Sequence, residues 1–334
     1  MAKIKPSKGA PYARIMGVGG YRPVRVVPND VILEKIDSSD EWIRSRSGIA
    51  TRHWASDEET VTAMSLEASG KALADAGVEP HQIGGVVVAT VSHFQQTPAV
   101  ATEIADRLGT IKPAAFDISA GCAGFGYALT LAKGMITDGS ADYVLVIGVE
   151  RLSDLTDLED RATAFLFGDG AGAVVVGPAA EPMIGPTVWG SEGDKSETIK
   201  QTVPWTDYRD GGTVEKFPAI RQEGQAVFRW AVFEMAKVAQ QALDAAGITA
   251  DDLDVFIPHQ ANMRIIDSMV KTLKLPEHVT VARDVETTGN TSAASIPLAM
   301  ERLLATGQAK SGDTALVIGF GAGLVYAATV VTLP

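Results

Sequence analysis

The residue best suited to covalent chemistry in this chain of 334 residues is its single cysteine, Cys122. It follows the glycine-containing segment 117–121 and opens a segment of helical period, so we expect its sulfur at a helix N-terminus. Unpaired N–H groups and the positive end of the helix dipole favour a thiolate there, which predicts a lowered pKa and a nucleophilic sulfur. A free cysteine is also commonly a buried, inert residue. Position alone leaves both interpretations open.

His259 and Asn290 are the two side chains that could assist such a nucleophile. His259 follows a predicted buried strand and opens the next helix, and active sites of α/β sheets tend to open at strand ends. Of the five histidines in the chain, His259 alone is predicted to lie at the end of a buried strand. An internal repeat aligns the turn of Asn290 with the turn of Cys122. A lone histidine is more often structural, but its convergence with Cys122 and Asn290 favours catalysis.

The elements that must position these side chains alternate between short β-branched runs and alanine-rich segments of helical period. This alternation predicts a layered α/β fold. The predicted strands are 85–90, 143–148, 173–177, 255–258 and 315–319. The predicted helices are 62–76, 122–137, 225–246, 262–273 and 293–306.

The chain also repeats itself. The seven residues from Lys71 resemble those from Gln241, an offset of 170, and the nine from Ser140 resemble those from Ser311, an offset of 171. Two matches in the same order at nearly the same offset indicate two similar halves. We therefore predict two halves, 1–180 and 181–334, that pack as one body, and a pseudo-twofold relation would bring their equivalent turns close together.

Composition excludes several classes of protein. The chain has 29 basic and 41 acidic side chains, a net charge of −12, which disfavours binding to nucleic acid. It has no apolar run of the roughly 18 to 20 residues that a membrane span needs. One thiol allows neither an internal disulfide nor a cysteine-rich metal site, so we expect no metal. The sequence thus predicts a cytoplasmic protein.

Three motifs carry a family resemblance. They are Ser-Ala-Gly-Cys-Ala-Gly-Phe around Cys122, Pro-His-Gln-Ala-Asn around His259 and Gly-Asn-Thr-Ser-Ala-Ala-Ser around Asn290. Together they resemble the Cys-His-Asn triad of β-ketoacyl-[acyl-carrier-protein] synthase III. The likeness extends over nearly the whole chain and is greatest to actinobacterial members. It implies a thiolase-like, five-layered α-β-α-β-α fold made of two pseudo-twofold-related halves, and a homodimer.

The resemblance also implies a two-stage reaction. Cys122 would attack an acyl-CoA thioester and release coenzyme A, and malonyl-acyl-carrier protein would then lose CO₂ and condense with the acyl-enzyme. His259 and Asn290 would donate hydrogen bonds to the enolate oxygen, and the backbone N–H groups of Cys122 and Ala322 would form a second oxyanion hole. No cofactor is implied, because the CoA thioester and the phosphopantetheinyl carrier are substrates.

Substrate contacts follow from the same resemblance. An acyl-CoA would place its adenine between Trp42 and Arg161, since an aromatic ring and a guanidinium both stack well. Without the resemblance, Trp42 would be a core residue and these arginines solvated. The further CoA contacts would be Arg46, Gly224 and Asn262. The carrier-protein contacts would be Arg229, Gln260, Arg264 and Lys271. Thr97 would reach the acyl pocket of the partner subunit.

Two alternatives remain at this stage. A member of the same family could prime a polyketide or transfer acyl groups to oxygen or nitrogen in natural-product assembly. From a different class, the chain could be a non-catalytic partner of a condensing enzyme. Such partners lack the active cysteine, so the presence of Cys122 counts against the second alternative.

Overall fold

A computed structural model describes residues 3–209 and 216–334. Within them the strands are, in chain order, β1 (Tyr12–Tyr21), β2 (Arg25–Pro28), β3 (Thr51–Trp54), β4 (Gly85–Ala89), β5 (Ala114–Ile118), β6 (Val144–Arg151), β7 (Asp169–Ala179), β8 (Val188–Ser191), β9 (Ile199–Gln201), β10 (Ile220–Gln222), β11 (Val255–Pro258), β12 (Thr280–Val281), β13 (Thr314–Gly321) and β14 (Val325–Thr332). The α-helices are α1 (Asn29–Leu33), α2 (Asp40–Ser47), α3 (Val61–Ala76), α4 (Val100–Leu108), α5 (Gly124–Asp138), α6 (Trp205–Arg209), α7 (Gly224–Trp230), α8 (Ala236–Ala246), α9 (Met263–Leu273), α10 (Val285–Thr288) and α11 (Ser295–Ala305).

Two five-stranded sheets form the framework, in the orders β5-β4-β6-β7-β1 and β12-β11-β13-β14-β8. In the first sheet β4 is parallel to β5 and β6, and β7 is antiparallel to β6 and β1. The second sheet repeats this pattern, with β11 parallel to β12 and β13 and β14 antiparallel to β13 and β8. All strands of the first sheet precede residue 180 and all strands of the second follow residue 181. The division into halves 1–180 and 181–334 itself stays a prediction.

The helices form three layers around these sheets. α3 and α4 pack on the outer face of the first sheet, and α8 and α9 pack on the outer face of the second. α5 and α11 lie between the sheets, where Phe125, Leu129, Ile296 and Met300 are buried. The expected α-β-α-β-α order of layers is confirmed. The innermost layer matters most for function, because the segments that lead into α5 and α11 carry Cys122 and Asn290.

The predicted helices and strands agree with the structure except in one segment. The helix expected over 225–246 is interrupted by a π-helical turn, Ala231–Met235, between α7 and α8. The wider turn allows Trp230, Ala231 and Met235 all to be buried in the outer core. Among the described residues, none of the helices combines the length and apolar character needed to cross a membrane.

Candidate active site

Cys122 lies on the 3₁₀ turn Gly121–Ala123 that leads into α5. The end of β13 packs directly against it. A Cβ atom added to Gly321 would lie 3.0 Å from the Cys122 Sγ atom and 2.9 Å from its Cβ, so only glycine fits there. The adjacent Ala322 lies beside Gly121, with its backbone nitrogen 3.3 Å from where a Cβ of Gly121 would be. The two turns predicted to hold the oxyanion donors are therefore in contact.

A cavity of about 510 Å³ opens above the sulfur. Cys122, His259 and Asn290 all line it, and Gly321 and Ala322 line it as well. The three residues of the predicted triad come from segments 31 to 168 positions apart in the chain, and the two-sheet framework brings them to one cavity. The internal repeat predicted that the turn of Asn290 lies near the turn of Cys122, and the strand end predicted the place of His259.

His259 is held by both its backbone and its ring. Its backbone N–H donates to Ile318 O at 2.7 Å, and its Nδ1 lies 2.7 Å from Ser295 Oγ on α11. Ser295 Oγ also accepts from the backbone N–H of Gln260 at 3.3 Å, which leaves its own proton for Nδ1. From this pair of bonds we infer the Nε2–H tautomer, with the ring as a donor into the cavity.

The ring of His259 is also shielded from water. It is 2% exposed and meets Phe320 edge to face, with ring centroids 5.4 Å apart. Burial lowers the pKa of His259 to about 3. The imidazole is therefore neutral at physiological pH, and it can donate a hydrogen bond without carrying a charge.

Asn290 is anchored on both sides of its turn. Its backbone N–H donates to Leu166 O at 2.9 Å, and its carbonyl accepts from Gly168 N at 3.0 Å. Its side-chain Oδ1 accepts from the backbone N–H of Ser292 at 2.9 Å. Because the oxygen is already used, the Nδ2 group is what Asn290 can offer to the cavity as a donor.

The expectation of a lowered pKa for Cys122 is wrong in this structure. Desolvation by the surrounding protein raises the pKa of the thiol to about 12, and the negative charge of Glu150 adds to the rise. Hydrogen bonding to Ser292 and to the backbone of Cys122 itself acts in the opposite direction but does not offset burial. Burial therefore sets the direction of the shift, opposite to the one expected from a helix N-terminus.

Comparison with known proteins identifies the family. Family models described as 3-oxoacyl-[acyl-carrier-protein] synthase III and its C-terminal part match residues 116–193 and 243–333. The β-ketoacyl-[acyl-carrier-protein] synthase III of Streptomyces glaucescens is 86% identical over 334 residues, with 100% of both chains covered. The chain belongs to the β-ketoacyl-[acyl-carrier-protein] synthase III family.

More distant relatives agree with this assignment. The mycobacterial β-ketoacyl-[acyl-carrier-protein] synthase III of Mycobacterium marinum is 54% identical, with 100% of this chain and 99% of the relative covered. The crystal structure of the priming β-ketosynthase from the R1128 polyketide biosynthetic pathway has a TM-score of 0.95 at 45% identity and covers 100% of this chain and 99% of its own. The synthase III of Aquifex aeolicus has a TM-score of 0.87 at 37% identity, with 96% and 99% covered. The thiolase-like fold is therefore shown.

The residues that the synthase III resemblance assigns to CoA lie outside the cavity lining. Arg161 Cζ is 4.9 Å and Arg46 Cζ is 5.8 Å from the ring centroid of Trp42. Asn262 caps α9 by accepting from Arg264 N at 2.9 Å, and its amide donates to Arg46 O at 3.0 Å. Gly224 is exposed at the start of α7. Trp42 and the two arginines thus form one cluster, and Asn262 ties α9 to the end of α2.

Gln260 is not available to a carrier protein, so that prediction is wrong. It is 1% exposed, and its amide donates to Pro258 O at 2.7 Å and accepts from Val285 N at 3.1 Å. Its position after a buried strand end explains the burial. The other predicted carrier contacts, Arg229, Arg264 and Lys271, are exposed, and the Arg264 guanidinium lies 4.8 Å from the Phe228 ring centroid.

Sequence reasoning missed the residues that hold the triad. Ser292 and Ser295 follow Asn290 in the same motif. Ser295 Oγ lies 2.7 Å from Nδ1 of His259, and the Ser292 hydroxyl acts to lower the pKa of the Cys122 thiol. Glu150 on β6 acts on the pKa of the thiol through its charge, and Phe320 on β13 packs against the imidazole. The motif signal could have suggested the two serines. The contacts of Glu150 depend on the tertiary arrangement alone.

Proposed function

We propose that this chain starts fatty-acid synthesis by condensing an acyl-CoA primer with malonyl-acyl-carrier protein, with loss of CO₂. The observation that carries the proposal is the cavity shared by Cys122, His259 and Asn290, in a chain 86% identical to a synthase III. A thiol, a neutral imidazole donor and an amide donor are what this reaction requires.

The side chains divide the reaction into two stages. Cys122 sulfur attacks the thioester carbonyl, coenzyme A leaves, and the acyl group stays on the sulfur. In the second stage the malonyl thioester loses CO₂, and the developing enolate oxygen accepts hydrogen bonds from Nε2 of His259 and Nδ2 of Asn290. The enolate carbon then attacks the acyl-cysteine, whose oxyanion the backbone amides of Cys122 and Ala322 stabilise. No cofactor takes part.

Removal of the hydroxyl that holds His259 is expected to slow the second stage. In Ser295→Ala, Nδ1 loses its partner, so the ring no longer favours the Nε2–H tautomer. We expect condensation to fall about tenfold, the cost of one hydrogen bond of about 1.4 kcal/mol, with unchanged acylation. Ser65→Ala is the matched control, because Ser65 is also buried and its hydroxyl donates to Val61 O within α3, away from the cavity. Equal condensation rates in the two variants would contradict this role.

Coenzyme A and the carrier protein are proposed to contact separate surfaces. The adenine would insert between the Trp42 ring and the Arg161 guanidinium, which now lie 4.9 Å apart, while Arg229, Arg264 and Lys271 would attract acidic groups of the carrier. Arg229, Arg264 and Lys271 are exposed. A local cationic patch on a chain of net charge −12 suits an acidic partner.

Substitutions on the two surfaces should therefore affect different substrates. We expect Arg264→Glu to raise KM for malonyl-carrier protein about tenfold at low salt, with a smaller effect as ionic strength screens the charge. We expect Trp42→Ala to raise KM for acyl-CoA about tenfold, the size of one lost stacking contact. Lys310→Glu, an exposed charge reversal beyond α11, is the control for Arg264→Glu. A rise in both KM values in either variant would refute separate surfaces.

A homodimer is supported by the free edge of the first sheet. β5 pairs only with β4 among the described residues, and its Phe116 and Ile118 are partly exposed. An apolar edge of this kind requires a cover, and a second copy pairing β5 with β5 would supply it. Ile118 lines the cavity, so the partner would lie beside the site, and the exposed Thr97 could then reach the pocket of the partner.

Disruption of this edge should separate the subunits. We expect sedimentation velocity to give a dimer for the natural chain and a monomer for Phe116→Lys, because a charge on β5 opposes strand pairing. Phe233→Lys, at a residue 64% exposed on the π-helical turn, is the control and should remain a dimer. A natural chain that sediments as a monomer would overturn the dimer.

Intact mass measurements can identify which acyl-CoA primers the chain accepts. The intact mass of the chain after incubation with acetyl-, isobutyryl- and longer acyl-CoA should increase by one acyl group for the accepted primers. The polyketide alternative is supported by the R1128 priming enzyme, at 45% identity. Relatives at 83% to 86% identity are all named synthase III and favour fatty-acid initiation. Turnover that requires a polyketide carrier protein would reverse this preference.

A further inference from the structure

Arg52 on β3 is a buried cation that the reaction described above does not use. It is 0% exposed. Its guanidinium donates to the side chain of Asn29 at 2.6 Å, and to the carbonyl oxygens of Phe165 at 2.9 Å and Val27 at 3.1 Å. Burial lowers the pKa of Arg52 to about 10, so the group is still charged at physiological pH. A buried charge that bonds to neutral acceptors is costly, which suggests a use for it.

The segment that Arg52 holds at Phe165 also holds the turn of Asn290. Leu166 O, one residue further along, accepts from the backbone N–H of Asn290 at 2.9 Å. Gly168 N donates to the carbonyl of Asn290 at 3.0 Å. A fixed Phe165 carbonyl therefore fixes the short ladder on which the Asn290 turn rests.

The aliphatic part of Arg52 lies against the same turn. A Cβ atom added to Gly289 would lie 2.8 Å from the Cβ of Arg52, and one added to Gly168 would lie 3.4 Å from it. Gly289 has a φ of +72° and directly precedes Asn290. Only glycine allows this approach in that conformation. One side chain thus contacts the Asn290 turn at its base and the supporting segment at its tip.

β3 itself is fixed relative to the helix that leads into this turn. The backbone N–H of Ala50 donates to Glu286 O at 2.7 Å, and the hydroxyl of Thr51 donates to Thr287 O at 2.8 Å. Both acceptors lie on α10, which ends just before the turn. Arg52 therefore extends from a strand that is anchored on one side of the turn to the segment on its other side.

A second cation near the turn has a different place. Arg302 on α11 donates to Thr287 Oγ1 at 2.6 Å and to Thr288 Oγ1 at 3.2 Å. It also pairs with Asp284 at 2.7 Å. These bonds fix α10, the helix before the turn, whereas Arg52 bonds to the segment that runs beside the turn.

We propose that Arg52 is a positioning residue for the second stage of the reaction. Its guanidinium holds the Phe165 carbonyl so that the turn beside it presents Nδ2 of Asn290 to the developing enolate oxygen. The inference rests on the proposed function. Arg52 does not line the cavity, so it acts on the substrate through Asn290 alone. His259 is held by Ile318 O and Ser295 instead, and its contribution should not depend on Arg52.

Arg52→Met tests this role, because it removes the guanidinium and keeps an unbranched side chain. We expect kcat for malonyl-carrier decarboxylation to fall about tenfold to a hundredfold with KM unchanged, since a donor misplaced by about 1 Å can cost about a hundredfold. Acylation at saturating acetyl-CoA should keep its rate, because Arg52 bonds to none of the residues around Cys122. Rates are expressed per chain that accepts an acyl group, so an unfolded fraction does not enter. An equal fall of acylation and decarboxylation overturns the proposal.

Double variants separate a positioning role from a merely structural one. In an Asn290→Ala background Arg52→Met should cause no further loss of decarboxylation, because the donor that it positions is already absent. In a His259→Ala background the loss should reappear in full. Equal losses in the two backgrounds overturn the proposal. A loss in Arg52→Met alone that exceeds the loss in Asn290→Ala does so too.

Arg151→Met is the matched control for the removal of an arginine that is largely buried. The Arg151 side chain is 17% exposed and pairs with Asp154 at 3.0 Å and with Asp57 at 3.8 Å, not with the Asn290 turn. We expect its decarboxylation rate to be unchanged. A loss in Arg151→Met that matches the loss in Arg52→Met overturns the specific role of Arg52.

Arg52→Lys keeps the test decisive if Arg52→Met does not fold. Lysine retains the positive charge but lacks the planar fork that reaches several acceptors at once. We expect a smaller loss that is again present with His259→Ala and absent with Asn290→Ala, and losses in both backgrounds overturn the proposal. A natural chain that is acylated but does not decarboxylate malonyl-carrier protein would instead count against the proposed function.

Discussion

Cys122→Ala is expected to form no acyl adduct with any acyl-CoA and to lose condensation by a factor on the order of 10⁶, the effect typical of removing a nucleophile. The reason is that the chain has no second thiol, and the cavity around Cys122 has no other side chain that could form a thioester. The measurement is intact mass after incubation with acyl-CoA, with quantified ketoacyl-carrier product.

The same variant should keep the part of the reaction that does not involve the sulfur. Malonyl-carrier protein should still lose CO₂, because His259 and Asn290 remain in place to stabilise the enolate. Retained decarboxylation also shows that the variant is folded. An acyl adduct on Cys122→Ala would place the nucleophile elsewhere and contradict the account.

His259→Ala and Asn290→Ala are expected to have the opposite pattern. Each should slow condensation and malonyl decarboxylation by on the order of 10² to 10³, the effect of losing one oxyanion donor, while Cys122 is still acylated. Because burial lowers the pKa of His259 to about 3, its ring is neutral above about pH 4. The condensation rate should therefore show no titration of this imidazole near its ordinary pKa of about 6.5.

Separate assays of acylation and decarboxylation check this pattern. His278→Ala is a suitable control, since His278 is exposed and its Nε2 lies 3.1 Å from Leu253 O, away from the cavity. A loss of acylation in His259→Ala equal to the loss of decarboxylation would mean that the imidazole acts on the thiol, which the proposed division of roles excludes.

The sequence allowed prediction of the framework and the three central residues for a physical reason. Buried strands such as 85–90 and 255–258 have continuous apolar runs, and the internal repeat adds the long-range information that places the turn of Asn290 near the turn of Cys122. These signals are local or periodic. They can therefore be recognised in the sequence without knowledge of how the chain packs.

Properties that depend on burial could not be read in the same way. The position of Cys122 before α5 correctly indicated a helix N-terminus, but the burial that raises its pKa to about 12 depends on tertiary packing, in which the turn at Gly321 lies against the sulfur. Gln260 stands next to His259 in sequence, yet its side chain turns into the protein. Glu150 is 28 residues from Cys122 in the chain and becomes its neighbour only when β6 and the Ser292 turn pack together.

The central claim is that an acyl group on Cys122 is an intermediate of a decarboxylative condensation. The most direct test is to acylate the chain with labelled acyl-CoA, remove free coenzyme A, and add malonyl-carrier protein. The account predicts that the labelled acyl mass disappears from Cys122 while an equal amount of labelled β-ketoacyl-carrier protein and of CO₂ is formed. Label that stays on the protein, or that is released as free acid without a ketoacyl product, would contradict it.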